Sequence, residues 1–197
     1  MNHSFDELNE RCYNAAADRW NRFPFPEHLC KWVETHLGGS KVLEIGPGNG
    51  LLAEWLETRG CRVECVEPSE EMARRCRARG LKVFQSTLQN YTPQETFDAV
   101  FAICSLVHIP KSETAAQINK IASCLRDGGT FFLGLIEGCG EGVEEAETGF
   151  PRFFSNYQKE EILPLLDKEF DLLEFAKGAT PRTKRTYLLF ALKRCCV

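Results

Sequence analysis

The stretch Val42-Leu43-Glu44-Ile45-Gly46-Pro47-Gly48-Asn49-Gly50 decides the fold. It opens with a short apolar strand, Lys41–Ile45, and stops at a glycine cluster. Leu51–Arg59 then reads as a helix ended by Gly60. A glycine-rich turn between strand and helix lets the backbone approach a ligand closely, and it aims helix N-terminal N–H groups at an anionic group. The plainer alternative is a tight connection with no ligand. The dinucleotide fingerprint G-x-G-x-x-G would need glycine at position 51, where this chain has Leu51. The spacing is instead E-x-G-x-G-x-G.

Strand and helix signals alternate on the C-terminal side of this turn. Cys61–Val66 reads as a second strand, Ser69 as the N-cap of a helix reaching about Arg79, Leu81–Phe84 as a third strand and Phe97–Cys104 as a fourth. Lys111–Leu125 reads as a helix closed by Asp127-Gly128-Gly129, Thr130–Ile136 as a fifth strand, and Gln158–Asp167 as a helix. Near-continuous apolar strands alternating with helices specify a parallel sheet covered on both faces. The last two strands, Phe170–Ala176 and Tyr187–Lys193, are joined by about ten residues, too short for a helical crossover, so they form an antiparallel hairpin. The fold class expected is α/β: a Rossmann-like three-layer sandwich with a seven-stranded, mostly parallel sheet and one antiparallel strand from the C-terminal hairpin.

On the N-terminal side, residues 6–37 read as amphipathic helix broken at Phe23-Pro24-Phe25-Pro26. At 197 residues the chain suits one domain. Its expected parts are a helical cap (1–40), a cofactor-binding core (41–136), a substrate-side loop (137–157) and a C-terminal helix and hairpin (158–197).

Composition excludes several function classes. A net charge of −4 argues against a nucleic-acid grip built on general positive charge. No run approaches the roughly 18 apolar residues that would span a membrane. Met1–Glu10 is polar and acidic, without an apolar signal core, which points to the cytoplasm. Ten cysteines are many, yet no C-x-x-C pair occurs, and His3, His28, His36 and His108 form no ligand pattern beside them. The expectation is therefore reduced thiols acting as small apolar fillers and no metal site.

Glu67, at the end of the second strand and followed by Pro68, lies 21 residues after Gly46. One strand and one helix further on, it falls beside the glycine turn at the sheet's carboxyl edge. A carboxylate there can accept hydrogen bonds from the two vicinal hydroxyls of a ribose. Alone it reads equally well as a solvated surface acid; beside the glycine turn the ribose reading is the better one.

Together these residues resemble the class I S-adenosylmethionine-dependent methyltransferases, especially their small-molecule members, over about Tyr13 to Lys193. Val42–Gly50 is similar to that family's first motif. Val66-Glu67-Pro68-Ser69 with Met72 resembles the second, Glu standing in place of Asp. Phe97-Asp98-Ala99-Val100 followed by Ser105-Leu106-Val107-His108-Ile109 resembles the fourth-strand motif, and Leu125-Arg126-Asp127-Gly128-Gly129 the turn before the fifth strand. Tyr13-Asn14-Ala15-Ala16-Ala17 resembles an N-terminal motif that covers the cofactor in many members.

The resemblance implies S-adenosyl-L-methionine as cofactor and methyl transfer by in-line displacement to a small-molecule acceptor at oxygen, nitrogen or sulfur. It implies that Gly46, Pro47, Gly48, Asn49 and Gly50 pack against the methionine part, with Glu44 near its amino group. Glu67 then holds the ribose beside Pro68, and Met72 packs on the adenine. Ile103 and Cys104 offer backbone atoms near the amino-acid end, and Tyr13 belongs to the cover. Many members carry an acid before the fourth strand that binds the adenine amino group; here Gln85-Ser86-Thr87-Leu88 stands there, with Thr87 in the acid's place.

His108, after the fourth strand, is either a base for the acceptor or a brace for its loop. Tyr13, Trp20 and Tyr157 either line a pocket or belong to the core. The segment Glu137–Gly149, with Glu137, Glu141, Glu144, Glu145 and Glu147, either favours a cationic acceptor or is a solvated loop. Arg182, Lys184 and Arg185 form an opposite cluster that blunts the last hairpin. A catalytically silent binding module and a nucleotide-linked oxidoreductase are the competing classes; the intact glycine turn with Glu67 weighs against the first, Leu51 and the terminal hairpin against the second. Monomer and dimer are equally open.

Overall fold

The computed structural model describes residues 5–20, 27–145, 149–179 and 185–196, the side chains of 19, 20, 27 and 28 excepted. The Phe23–Pro26 break, the Trp20, His3 and His28 side chains, Glu147, Arg182 and Lys184 lie outside the described residues.

Nine strands are described: β1 (Lys41–Ile45), β2 (Arg62–Val66), β3 (Lys82–Phe84), β4 (Phe97–Ile103), β5 (Leu125–Ile136), β6 (Glu141–Glu145), β7 (Pro151–Ser155), β8 (Phe170–Ala179) and β9 (Thr186–Arg194). Seven of them form one sheet in the order β3-β2-β1-β4-β5-β9-β8. β1 pairs in parallel with β2 and β4, β2 with β3, and β4 with β5. β9 runs antiparallel to both β5 and β8, so it alone is reversed. The expected α/β sandwich and its terminal hairpin are therefore present.

Alternation along each buried strand sends side chains to two cores, one on each face. Val42, Val63, Cys65, Ala99, Phe101 and Phe132 meet α2 (Glu27–His36) and α3 (Leu51–Thr58) through Trp32, Val33, Leu52 and Leu56. Phe101 stacks on Phe132 at 4.4 Å, with Trp32 edge-on to Phe132 at 5.1 Å. Leu43, Ile45, Val100, Phe131, Leu133 and Phe190 meet α5 (Lys111–Cys124) and α6 (Lys159–Leu166) through Ile118, Ile121, Ile162 and Leu166. Both faces are covered by apolar side chains, which is why these strands carry so few polar residues.

Two helix starts are capped, the first by the residue expected from the sequence. Ser69 Oγ accepts from Met72 N at 3.2 Å and begins α4 (Glu70–Ala78). Gln158 forms a capping box with Glu161 at the start of α6. The remaining described helix, α1 (Phe5–Trp20), lies across the carboxyl edge of the sheet and touches β7, α4 and the 3-10 turn Leu106–His108.

Most boundaries shift by a residue or so and β8 runs on to Ala179; two differences are larger in consequence. β5 begins at Leu125, before the Asp127–Gly129 turn, because Leu125 already pairs with Phe97. The segment expected to be a substrate-side loop forms a second, two-stranded sheet, β6 antiparallel to β7. Its first strand, Glu-Gly-Val-Glu-Glu, has almost no apolar signal of its own. The burial is supplied by Phe153 and Phe154 on the other strand, both 3% exposed.

Candidate active site

The glycine turn sits where β1 meets α3 at the carboxyl edge of the sheet. Gly46 N donates to Val66 O at 2.9 Å, and Gly50 N to Pro47 O at 2.9 Å. Gly46 has φ +66°, and a Cβ there would lie 2.6 Å from Ser105 Cβ, so no larger residue fits without rearrangement. Gly48, at φ +56°, is the opposite case: a Cβ there would meet nothing within 4 Å. The absent side chain leaves the backbone open to a ligand. From below, α4 holds the turn: Cys76 Sγ donates to Gly48 O at 3.2 Å, and Arg79 Nε to Asn49 O at 2.8 Å. Pro47 and Gly50 are buried, Asn49 half-buried.

Two carboxylates flank the turn. Glu44, 4% exposed, projects from β1. Burial pushes its carboxyl up to about 8, opposed by the Ala53 backbone N–H and reinforced by Glu67. Its Oε2 is buried without a hydrogen-bond partner among the described residues. Glu67, 5% exposed, stands just beyond β2. Its Oε1 accepts from Ser69 N at 2.9 Å and its Oε2 from Gly48 N at 3.3 Å. Burial lifts it to about 7 against those two N–H groups.

Near Glu67, Pro68 is exposed, while Met72 and Leu88 are buried. Thr87 is half-buried, and its carbonyl accepts from Tyr91 N at 3.1 Å. At the end of β4, Cys104 holds φ +57°, the only non-glycine positive φ among the described residues. Its N–H donates to Gly134 O at 2.9 Å, so the Cys104 backbone retains its carbonyl, not its N–H, for another group. Ile103 beside it is half-buried.

The other side of the edge is built from side chains. His108 Nδ1 lies 2.8 Å from Phe153 O, and its Nε2 2.7 Å from Tyr13 Oη. A carbonyl only accepts, so Nδ1 carries the proton and Nε2 accepts from the Tyr13 hydroxyl. Tyr13 Oη in turn accepts from Arg152 Nη1 at 3.0 Å. Desolvation pushes His108 down to about 4, and Arg152 and Arg185 add to the fall against the Phe153 carbonyl. Desolvation pushes Tyr13 up to about 12. The His108 ring is therefore neutral, with both nitrogens engaged. The Arg152 and Arg185 guanidinium carbons lie 4.8 and 4.6 Å from the centre of the Phe154 ring.

Sequence reasoning thus located the glycine turn, Glu44, Glu67, Tyr13 and His108, and the fold gathers them at one edge. It missed Asn9, Arg152, Phe153 and Phe154. Asn9 Nδ2 donates to His108 O at 3.2 Å, and Phe153 N to Asn9 Oδ1 at 2.9 Å. The aromatic run Phe153-Phe154 beside Arg152 was the available signal. Three of the Glu137–Gly149 glutamates face cations or donors of the chain itself: Glu137 pairs with Lys177, Glu144 with Arg185 at 2.7 Å, and Glu141 accepts from Lys111 N at 2.7 Å. Tyr157 is a core residue, its hydroxyl 2.7 Å from Thr114 Oγ1. Among the described residues no cluster of three or more His, Cys, Asp or Glu could hold a metal, no helix is long and apolar enough to cross a membrane, and none of the ten cysteines is in a disulfide.

Known proteins place this arrangement. Its fold is that of the class I methyltransferases. The 1,6-didemethyltoxoflavin-N1-methyltransferase of Burkholderia thailandensis, crystallised with S-adenosylhomocysteine, superposes with a TM-score of 0.77 at 19% identity, covering 94% of this chain and 85% of that one. The magnesium protoporphyrin IX methyltransferase of Synechocystis PCC 6803, with bound S-adenosylmethionine, gives a TM-score of 0.75 at 18% identity, covering 96% and 97%. Residues 42–129 match the methyltransferase-domain family model. A ubiquinone biosynthesis O-methyltransferase of Azoarcus sp. is 30% identical over 145 residues, 67% of this chain and 60% of that relative. The chain thus spans about 60% of the length of that curated relative.

Proposed function

We propose that the protein transfers a methyl group from S-adenosyl-L-methionine to a small-molecule acceptor at oxygen, nitrogen or sulfur. The observation that carries this reading is the Glu67 carboxylate, oriented by the N–H groups of Gly48 and Ser69 beside a turn whose Gly48 face is open. Each carboxylate oxygen accepts one backbone bond and has a further lone pair for a ribose hydroxyl. The orphaned Glu44 Oε2 is a second point of fit, since an ammonium group would satisfy it. Bound there, the cofactor supplies a methyl group already activated by a sulfonium.

The chain's own residues then bind, orient and exclude water, and orientation alone supplies about 7–11 kcal/mol in such reactions. α1 and the β6–β7 hairpin lie over the edge as cover. His108 acts as a brace: it is neutral, donates to Phe153 O and accepts from Tyr13, tying the 3-10 turn to both cover elements. A reducing, cytoplasmic setting accords with ten cysteines and no disulfide.

Calorimetry with S-adenosylhomocysteine and NADH tests the reading. Heat with the first and none with the second is expected; the reverse overturns it. Consumption of the methyl donor across a panel of acceptors separates an enzyme from a silent binding module.

A further inference from the structure

Asn14 lies on α1, one residue beyond Tyr13, and is half-buried against the start of α4. Its Oδ1 accepts two hydrogen bonds, from Ser69 Oγ at 2.8 Å and from Glu71 N at 3.0 Å. A backbone N–H can only donate, so the amide oxygen, not the nitrogen, faces α4. Ser69 Oγ already accepts from Met72 N, which fixes its own proton toward Asn14. Two free N–H groups in the first turn of α4 are thus satisfied, one by its own N-cap and one by a side chain from another helix.

Ser69 is also the residue whose N–H holds Glu67 Oε1 at 2.9 Å. The chain of contacts runs from Asn14 through Ser69 to Glu67 and on to Gly48 N. Four residues beyond Glu71 along α4 the helices are clamped again. Arg75, oriented by Glu71, donates to Ala17 O at 3.0 Å and pairs with Asp18 at 2.7 Å. We propose that Asn14 is a positioning residue: it fixes the Glu67-Pro68-Ser69 turn from outside, and so sets the orientation of the Glu67 carboxylate that grips the cofactor ribose. The ribose part of this statement rests on the function proposed above; the orientation of Glu67 does not.

The expected consequence is specific. An Asn14→Ala protein loses the acceptor, Ser69 Oγ is released, and the Glu67 carboxylate leaves Gly48. Asn14→Asp keeps an oxygen in the same place and restores the arrangement.

Amide hydrogen exchange on the ligand-free protein reads this without any cofactor. In Asn14→Ala, exchange at Gly48 and Ser69 is expected to rise by about fivefold or more, with Ala73 and Cys76 unchanged, and Asn14→Asp is expected to stay near wild type. A rise at Glu71 alone, with Gly48 and Ser69 as protected as before, would mean that Asn14 only caps α4 and would overturn the proposal. Titration with S-adenosylhomocysteine is the second arm. Asn14→Ala is expected to bind about tenfold more weakly, the scale of one lost hydrogen bond, and Asn14→Asp within about threefold of wild type. Undiminished affinity in Asn14→Ala likewise overturns it. A wild-type protein that binds no S-adenosylhomocysteine removes the proposed function, while the exchange measurement still decides the role of Asn14.

Discussion

At one end of the sheet's carboxyl edge, Glu44 and Glu67 are carboxylates buried beside a backbone turn. At the other, Tyr13, His108 and Arg152 are linked by side-chain hydrogen bonds against a hairpin. The first end is made by residues close in sequence: Glu44 to Ser69 contains the strand, the turn and both acids. The second is assembled from residues about a hundred or more apart, with 95 positions between Tyr13 and His108 and 139 between Tyr13 and Arg152. The two ends also have opposite proton chemistry. Burial favours the neutral form in both, and the neutral form is the protonated one for a carboxyl and the deprotonated one for an imidazole.

The largest effect expected concerns the turn. Gly46→Ala places a Cβ against Ser105 in a left-handed conformation, and should destabilise the fold by about 3 kcal/mol, read by denaturant unfolding. Wild-type stability in that variant would show that the turn is looser than its geometry. Next in size, Glu67→Ala should weaken binding of S-adenosylhomocysteine by about 1.5–3 kcal/mol, the scale of hydrogen bonds to a charged group. Calorimetry that finds an unchanged constant removes Glu67 from the grip.

The pH dependence of melting in the ligand-free protein separates the two ends. Glu44 is raised from 4.5 to about 8, so the unfolded chain gives up that proton first, and stability falls as pH climbs between those values. Glu44→Gln should flatten that decline. His108 is lowered from 6.5 to about 4, so the unfolded chain takes up the proton first, and stability falls as pH drops through that interval. His108→Asn should flatten the acid side and leave the alkaline side as it was. Parallel curves for wild type and both variants would break the contrast. The smallest effect belongs to the hairpin segment: Glu137→Gln, removing an ion pair with the half-exposed Lys177, should change stability by less than about 0.5 kcal/mol.

The contrast also explains how much was legible. Local chemistry wrote the glycine turn, the Ser69 cap, the position of Glu67 and the terminal hairpin into short stretches, and each could be read there. The β6–β7 hairpin could not, because Glu141–Glu145 stays largely exposed and the hairpin's buried residues, Phe153 and Phe154, lie on the other strand. The proton on His108 Nδ1 was equally invisible: it is dictated by Phe153 O, 45 positions along the chain. The sequence left the glutamates of the 137–149 segment open between a cationic acceptor and solvent, because Lys177, Arg185 and the Lys111 N–H, which face three of them, lie at least thirty positions away.

The strand order has a consequence for how the molecule assembles. β9 separates β5 from β8, so β8 has no strand pairing with the parallel body except through β9. The two strands can pair with each other by local search, on the microsecond scale of hairpin formation. They then have to dock together, because β8 alone finds no template. Until that docking, the edge of β5 is an open row of backbone donors and acceptors beside Phe131, Phe132 and Leu133, the kind of edge that captures strands from other chains. Assembly of the C-terminal hairpin is therefore the step at which crowding of newly made chains should most affect the yield of native protein.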